Sequence, residues 1–379
     1  MKDKNVIRIA VVIPKYGLVG GGEKFASELT ERIAQKTSYE IHVLANQWRT
    51  SSGLIRFHKI PIIRFPKYLT TVSFAWFVRQ KIREIGFDLI HSHERIFNAD
   101  LVSLHSVPHE FWVRDIRQKR FFSLFDRATI HVEKGMVRND RAIFLPVSGI
   151  AREKFIAEYP FLSGRTEVLH PGVDMVSFDQ LHRNDCRESI RKQFGFNLSD
   201  TVLLFVGMNF ELKGLDQLIQ AIAKLKSIRQ STPIKLLVAG KGNISKYQKM
   251  AEDAGLDGDV RFAGVIKERM EDVYMSADIF AMLSQFDTFG MTVLEAMAAS
   301  LPVIVSHHVG AKDLVQDGVN GFIVERDDVD AICDRLLVLL DQDKRIAMGR
   351  HGHHVAQNHT WDLLADKMIQ MYEKILAGK

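Results

Sequence analysis

Two acidic residues eight positions apart, Asp287 and Glu295, frame the stretch of this chain best suited to chemistry. It reads Asp287-Thr-Phe-Gly-Met-Thr-Val-Leu-Glu295 and continues through Pro302 into the apolar run 303–305. Between Thr288 and Ala311 Glu295 is the only formally charged residue, on a segment that reads as a largely buried helix, where a carboxylate needs a partner. At helical rise the two carboxylates stand roughly 12 Å apart or less, comparable to the span from a sugar to a ribose across a diphosphate. A helix start between them would turn the N–H groups of Phe289, Gly290 and Met291 toward an anion. The competing reading makes Asp287 or Thr288 a simple N-cap and gives Glu295 a neighbouring Arg or Lys.

Three further stretches carry reactive or anion-binding types. Lys213, in Gly207-Met-Asn209-Phe-Glu-Leu-Lys213-Gly214, follows an apolar strand and is placed to meet a phosphate. Lys15-Tyr-Gly-Leu-Val-Gly20-Gly21-Gly22-Glu23-Lys24 also follows a strand and leads into a helix, so its glycines allow close backbone approach to a phosphate or form a structural turn. It fails as a dinucleotide fingerprint, because Phe25 stands where a third glycine is needed and the second strand ends in Ala45-Asn-Gln without an acidic residue. It is no Walker A loop either. Among fifteen histidines, His105 ends a predicted strand, with Asp100 just before that strand and His91 and His93 flanking another; His105 reads as a functional group or as a hydrogen-bonded structural one.

Alternating apolar runs and amphipathic segments predict parallel α/β sheets covered by helices. Strands are expected at 7–13, 41–44, 89–91, 101–104, 142–147 and 167–169, with helices clearest at 23–36 and 71–85. After His170-Pro-Gly-Val-Asp174 and the polar segment 177–185 the pattern restarts, with strands at 201–206, 234–239, 260–263, 279–283 and 303–305 and helices at 215–228, 246–254 and 270–275. The expected division is a first Rossmann-like domain over residues 1–172 and a second over 173–360. The amphipathic segment 361–375 is expected to cross back onto the first domain, as part of a C-terminal helix 361–379. Ligands of such halves bind beyond the strand C-terminal ends, here in an interdomain cleft.

With 379 residues, 46% of them hydrophobic, the chain can bury two ordinary cores. No run approaches the roughly 18 apolar residues of a membrane span, no signal peptide is evident, and two cysteines make no disulfide framework, so the cytosol is the expected compartment. The net charge of +5 hides an asymmetry: residues 1–172 hold 27 Lys+Arg against 17 Asp+Glu, and the remainder 24 against 29. A basic first half is expected to face an anionic glycan or a membrane surface, or to be merely an uneven solvated surface; nucleic-acid binding has no motif beyond charge.

Taken together these stretches resemble the retaining glycosyltransferases of family 4, with the two-domain GT-B fold, and within them the glucosyltransferase I type of the lipopolysaccharide core. The resemblance spans essentially the whole chain; it is most specific at Gly207 with Lys213-Gly214, Phe262-Ala-Gly264, Ala277-Asp278, Asp287 with Glu295, Pro302-Val303 and 318–321. It implies that Glu295 holds the ribose of a nucleotide sugar, Asp287 approaches the donor sugar, Lys213 binds the diphosphate, Gly20 and Gly21 form the donor loop, and Gly264 and Val265 meet the base. Asp100 matches an acceptor-side aspartate and His105 an active-site histidine. Two departures stand out: the first of the paired acids is Asp287 rather than glutamate, and Asn209 replaces the usual second phosphate cation.

The implied chemistry is retaining transfer from a nucleoside-diphosphate sugar, a UDP-sugar, to a lipopolysaccharide-core, lipid-linked or other cell-surface glycan. Catalytic roles fall to Asp100, His105, Lys213 and Asp287, with no metal and no cofactor, since the nucleotide sugar is a substrate. A sugar-nucleotide epimerase of the same architecture and a non-catalytic nucleotide-sugar-binding protein are the rival readings. Arg114, Arg117, Lys119, Arg120 and Arg127, interleaved with Phe111, Trp112, Phe121, Phe122, Leu124 and Phe125, suit a basic amphipathic helix at an anionic membrane surface, or aromatics packed into a core with solvated arginines.

Overall fold

The computed structural model describes residues 6–18, 20–50, 52–230 and 232–379. It divides into two compact units, Met1–Gly172 with Trp361–Lys379, and Val173–Thr360.

The first unit is built on a six-stranded sheet in the order Ile55–Lys59, Glu40–Ala45, Arg8–Val12, Leu89–Ser92, Leu101–Leu104, Ile143–Pro146, every pairing parallel. Its inner strands are buried on both faces, which is why they read as continuous Val, Ile and Leu runs rather than as alternation. The order reverses direction between Arg8–Val12 and Leu89–Ser92, so the loops after these two strands part there and leave a crevice at the sheet's C-terminal edge. The segment 167–169 makes no strand. Only a bridge from Thr166 to Phe144 forms, because the turn of 3₁₀ helix Pro160–Arg165 brings the chain in at the sheet edge.

The helix Trp361–Ala377 buries Trp361, Leu364, Ala365, Met368 and Tyr372, the stripe expected of an amphipathic helix, against the helix Gly21–Lys36 and the sheet. Trp361 meets Phe25 edge-on at 5.7 Å between ring centroids, and Lys36 pairs with Asp366 at 2.8 Å and Asp362 at 3.2 Å.

The basic aromatic segment is not one helix. A three-residue helix His109–Phe111 passes into a π-helical turn Trp112–Ile116, Gln118 takes φ 49°, and a separate helix Leu124–Val137 begins at Ser123. The break has a local cause: the Ser123 hydroxyl accepts from the Asp126 N–H while the Asp126 carboxylate accepts from Ser123, a capping box that starts a helix there.

The second unit repeats the architecture with a parallel sheet ordered Val260–Gly264, Ile234–Gly240, Thr201–Gly207, Ile279–Met282, Val303–Ser306, Gly321–Val324. The helix Leu215–Ile228 buries Leu215, Leu218, Ile219, Ile222 and Leu225 on the sheet at helical spacing. Here the order reverses between Thr201–Gly207 and Ile279–Met282. No helix among the described residues is long and apolar enough to cross a membrane.

Candidate active site

In the second unit the loops that leave the two strands at the reversal point carry the residues singled out from sequence. Thr201–Gly207 leads to Lys213, and Ile279–Met282 leads to Asp287, whose carboxylate Oδ2 pairs with the Lys213 ammonium. The lysine stem lies over Gly207, where a β-carbon would come within 2.9 Å of Lys213 Cγ, so glycine is needed for that approach. Asn209 is exposed and works locally: its side-chain oxygen accepts from the Leu212 N–H at 3.1 Å and its carbonyl from the Lys213 N–H at 3.0 Å, which shapes the loop that presents the lysine.

Asp287 is held at every polar atom. Its N–H donates to His308 O and its carbonyl accepts from Gly310 N–H, both at 3.0 Å, while Oδ1 accepts from the Phe289 N–H at 3.2 Å. Phe289 is therefore not an open donor, and its ring is buried; the helix Met291–Ala298 starts after Gly290, at φ 92°, and the N–H groups of its first turn have no partner within the helix. One turn further along, Glu295 is half-buried and accepts from the Tyr274 phenol at 2.9 Å. Burial, and then the carboxylate beside it, push the Tyr274 phenol well above its usual range, so it stays a neutral donor. The partner that Glu295 requires thus includes a phenol from a helix twenty-one residues away, and no local spacing rule points to it. Gly264, at φ 68°, and the exposed Val265 end the outer strand on the same sheet edge.

Sequence reasoning missed the loop after Val303–Ser306. His308, Gly310 and Ala311 clamp the Asp287–Phe289 backbone, with Ala311 N–H donating to Phe289 O at 2.6 Å. Arg326 was missed too; it ties Leu283 O and Glu211 O, on the two reversal-point loops, at 3.2 and 3.1 Å. A signal for the loop existed in its position after a buried strand, but Arg326 looks like any other arginine.

In the first unit a cavity of about 450 Å³ opens at the reversal point, lined by Pro14 and Lys15 after the first strand, Gly22 and Glu23, His93 to Arg95, and His105 with Ser106. Gly20 caps the helix Gly21–Lys36 beside it; Val19, in the same glycine turn, lies outside the described residues. Gly22 passes so close to His105 that a β-carbon there would lie 3.2 Å from the imidazole. Behind His105 stand two more histidines. His105 Nε2 and His93 Nδ1 are 3.0 Å apart with their rings stacked, and His91, tilted against His93 with 4.3 Å between ring centroids, bonds Tyr372 through Nδ1 and Ser103 through Nε2. Burial holds the His105 ring down at about 4 and the His91 ring at about 3, and pushes His93 well below the usual range, so all three are neutral near pH 7.

Asp100 does not join this group. It precedes the strand Leu101–Leu104 whereas His105 follows it, so in a parallel sheet the two lie at opposite edges, roughly 16 Å apart along the strand. Its carboxylate accepts from the Ile90 N–H at 2.8 Å and pairs with Lys379 at 2.8 Å, a structural tie between the sheet's N-terminal edge and the end of the chain.

No group of three or more His, Cys, Asp or Glu side chains able to hold a metal ion occurs among the described residues.

Two sealed cores, each a parallel sheet with anion-binding types at its reversal point, agree with what comparison with known proteins returns. The profile of the glycosyl transferases group 1 matches residues 186–355, and that of Glycosyltransferase Family 4 matches residues 19–176. The chain belongs to the glycosyltransferases of the GT-B fold, with a family 4 first unit and a group 1 second unit. A D-inositol 3-phosphate glycosyltransferase of Corynebacterium urealyticum is 29% identical over 321 residues, 80% of this chain and 75% of that one. Among solved structures, WaaG, a glycosyltransferase involved in lipopolysaccharide biosynthesis, superposes with TM-score 0.80 at 20% identity over 96% of this chain and 99% of its own. Anabaena HepE in complex with UDP-glucose does so with TM-score 0.74 at 16% identity, over 97% and 100%.

Proposed function

We propose that this glycosyltransferase moves a sugar, with retention, from a nucleoside-diphosphate sugar, a UDP-sugar, to an anionic glycan acceptor of the lipopolysaccharide-core or lipid-linked kind. The observation that carries the reading is the Lys213–Asp287 pair at the reversal point of the second sheet, one helix start away from Glu295. A leaving diphosphate would take Lys213 from Asp287 and meet the N–H groups of Gly290 and Met291, while Glu295 holds ribose hydroxyls and Gly264 and Val265 the base. The solved complex of HepE with UDP-glucose supports the choice of donor. With no carboxylate assigned as nucleophile, we favour a front-face process in which the departing phosphate helps remove the acceptor proton. The nucleotide sugar is a substrate, and the reading calls on no cofactor or metal.

Screening nucleotide sugars for thermal stabilisation tests the donor: a ligand at 100 times its dissociation constant adds about 2.7 kcal/mol. Glu295→Gln is expected to weaken that stabilisation while the apo melting temperature stays close to wild type, because a Gln oxygen can still accept from Tyr274. If no nucleotide sugar stabilises the protein, or if Glu295→Gln binds as well as wild type, the donor assignment is wrong. Conversion of the sugar nucleotide without any acceptor would instead identify an epimerase.

The first unit supports a cytoplasmic enzyme docked peripherally on an anionic membrane. Phe121 and Leu124 are 80% and 65% exposed, and Arg120 lies over the Phe121 ring at 5.7 Å. Lys67 over Phe125, at 5.1 Å, joins this segment to the turn that bears Phe65, itself 89% exposed. Arg114 and Arg117 are partly answered by Glu110 and Asp126, so the attraction rests more on Lys67, Lys119, Arg120 and Arg127, each worth about 1 kcal/mol near such a surface. Co-sedimentation with anionic vesicles is expected at low salt and is expected to weaken at high salt. Equal pelleting with zwitterionic vesicles, or none at low salt, would remove the claim.

A further inference from the structure

The strands Leu89–Ser92 and Leu101–Leu104 are in parallel register with His91 opposite Leu101 and Ser92 opposite Val102. Side chains two apart share a face, so positions 91, 93, 103 and 105 lead along one face of the sheet toward the cavity. The helices Gly21–Lys36 and Trp361–Ala377 bring Phe25 and Tyr372 against these rings, with Phe25 4.8 Å from His105, 5.8 Å from His93, and the Tyr372 hydroxyl on His91. Such an inlay of imidazoles in a buried layer must settle where each proton sits.

His93 decides it. Its Nδ1 faces His105 Nε2, and its Nε2 is buried with no hydrogen-bond partner among the described residues. Were the His93 proton on Nε2, a buried N–H would be orphaned; with the proton on Nδ1, only an acceptor lone pair is left unmatched. Orphaned buried donors are the rarer and costlier defect. The proton therefore belongs on Nδ1, and His93 donates to His105 Nε2. His105, neutral and with Nε2 accepting, must carry its own proton on Nδ1.

We infer that His93 is a positioning residue that locks His105 as the Nδ1–H tautomer, so that His105 serves the cavity as a neutral hydrogen-bond donor to a substrate oxygen and not as a general base. The tautomer lock stands on the geometry alone; the donor role rests on the proposed transferase reading. Behind it, His91 is held between Tyr372 and Ser103 and packs its tilted ring against His93.

The test uses full-length protein containing isotope-labelled histidine, with imidazole tautomers read from two-bond proton–nitrogen correlations near neutral pH and the His105 signals identified by their loss in His105→Gln. Wild type is expected to show His105 as Nδ1–H. His93→Phe, which keeps a stacked ring but no donor, is expected to release His105 to the Nε2–H form, and His93→Asn, whose amide N–H can stand where Nδ1–H stood, to restore Nδ1–H. In turnover, His93→Phe is expected to lower kcat on the order of tenfold with little change in donor KM, and His93→Asn to recover most of it. An Nε2–H tautomer at His105 in the wild type, or an unchanged tautomer in His93→Phe, overturns the lock; if His93→Phe does not fold, the wild-type and His93→Asn spectra decide. Because the spectra do not depend on turnover, failure of the transferase reading leaves this readout intact. Unchanged kcat in a His93→Phe protein whose tautomer has switched would overturn the donor role and leave the lock standing.

Discussion

Lys213→Ala is expected to lower the turnover of sugar transfer by at least an order of magnitude, and toward the roughly 10²–10³-fold loss seen when one charge-stabilising donor is removed from a transition state. The reason is the thinness of the cationic set at this sheet edge: Asn209 spends its side chain on the Leu212 N–H, and Arg326 is committed to loop carbonyls. Neither of these two is free to take over. The fold is expected to survive, since both partners of the Lys213–Asp287 pair keep some exposure and such pairs contribute about 0–1 kcal/mol. Rates under saturating donor, measured beside a thermal melt, separate the two effects. Normal turnover in the variant would remove the phosphate role of Lys213.

The same geometry redefines what Asp287 does before donor arrives. One oxygen faces Lys213 and the other the Phe289 N–H, so on the proposed reading a diphosphate that draws Lys213 away would free the first oxygen for a sugar hydroxyl. Asp in place of the family's usual glutamate suits this arrangement, because the shorter arm reaches the N–H two residues on in a local turn.

The largest expected loss of stability is at Glu133. It is fully buried in the helix Leu124–Val137 and accepts from Arg95 Nε at 2.8 Å, the Tyr159 hydroxyl at 2.9 Å and the His109 N–H at 3.1 Å. Glu133→Ala leaves the Arg95 guanidinium beside the cavity with the partly exposed Glu94, 3.6 Å away, as its remaining carboxylate and with Ser106 Oγ and Val107 O, at 3.0 and 3.2 Å, as neutral acceptors. Breaking a buried pair from one side costs about 3–5 kcal/mol, and Glu94 is expected to hold the loss near the lower figure. Denaturant unfolding at constant m-value measures it. A loss under about 1 kcal/mol would mean that water or Glu94 replaces Glu133 completely.

Much of the architecture was open to reading in the chain itself. The buried strands announce themselves as apolar runs and the helix Leu215–Ile228 by its 3.6-residue stripe, because burial on a regular element repeats with the period of that element. The neighbourhood of Gly207, Lys213, Asp287 and Glu295 was legible for a related reason: Gly207 ends a strand, Lys213 and Asp287 lie in the loops that leave strand C-terminal ends, Glu295 lies in the helix that follows, and parallel sheets collect those ends on one edge. By itself, then, the sequence determined the α/β class, the strand ends that carry the anion-binding types, and the lone acid of an apolar helix. Tertiary structure decided who meets whom. Asp100 and His105, five residues apart, were separated to opposite sheet edges by one strand, while His91, His93, His105 and Tyr372 were gathered from three elements into one buried layer. The Tyr274 phenol went to Glu295, and a two-residue capping box at Ser123 broke a basic aromatic helix that composition alone made plausible. Local periodicity reports whether a residue is buried, but the partner it is buried against depends on strand order and helix crossing, which distant parts of the chain settle together.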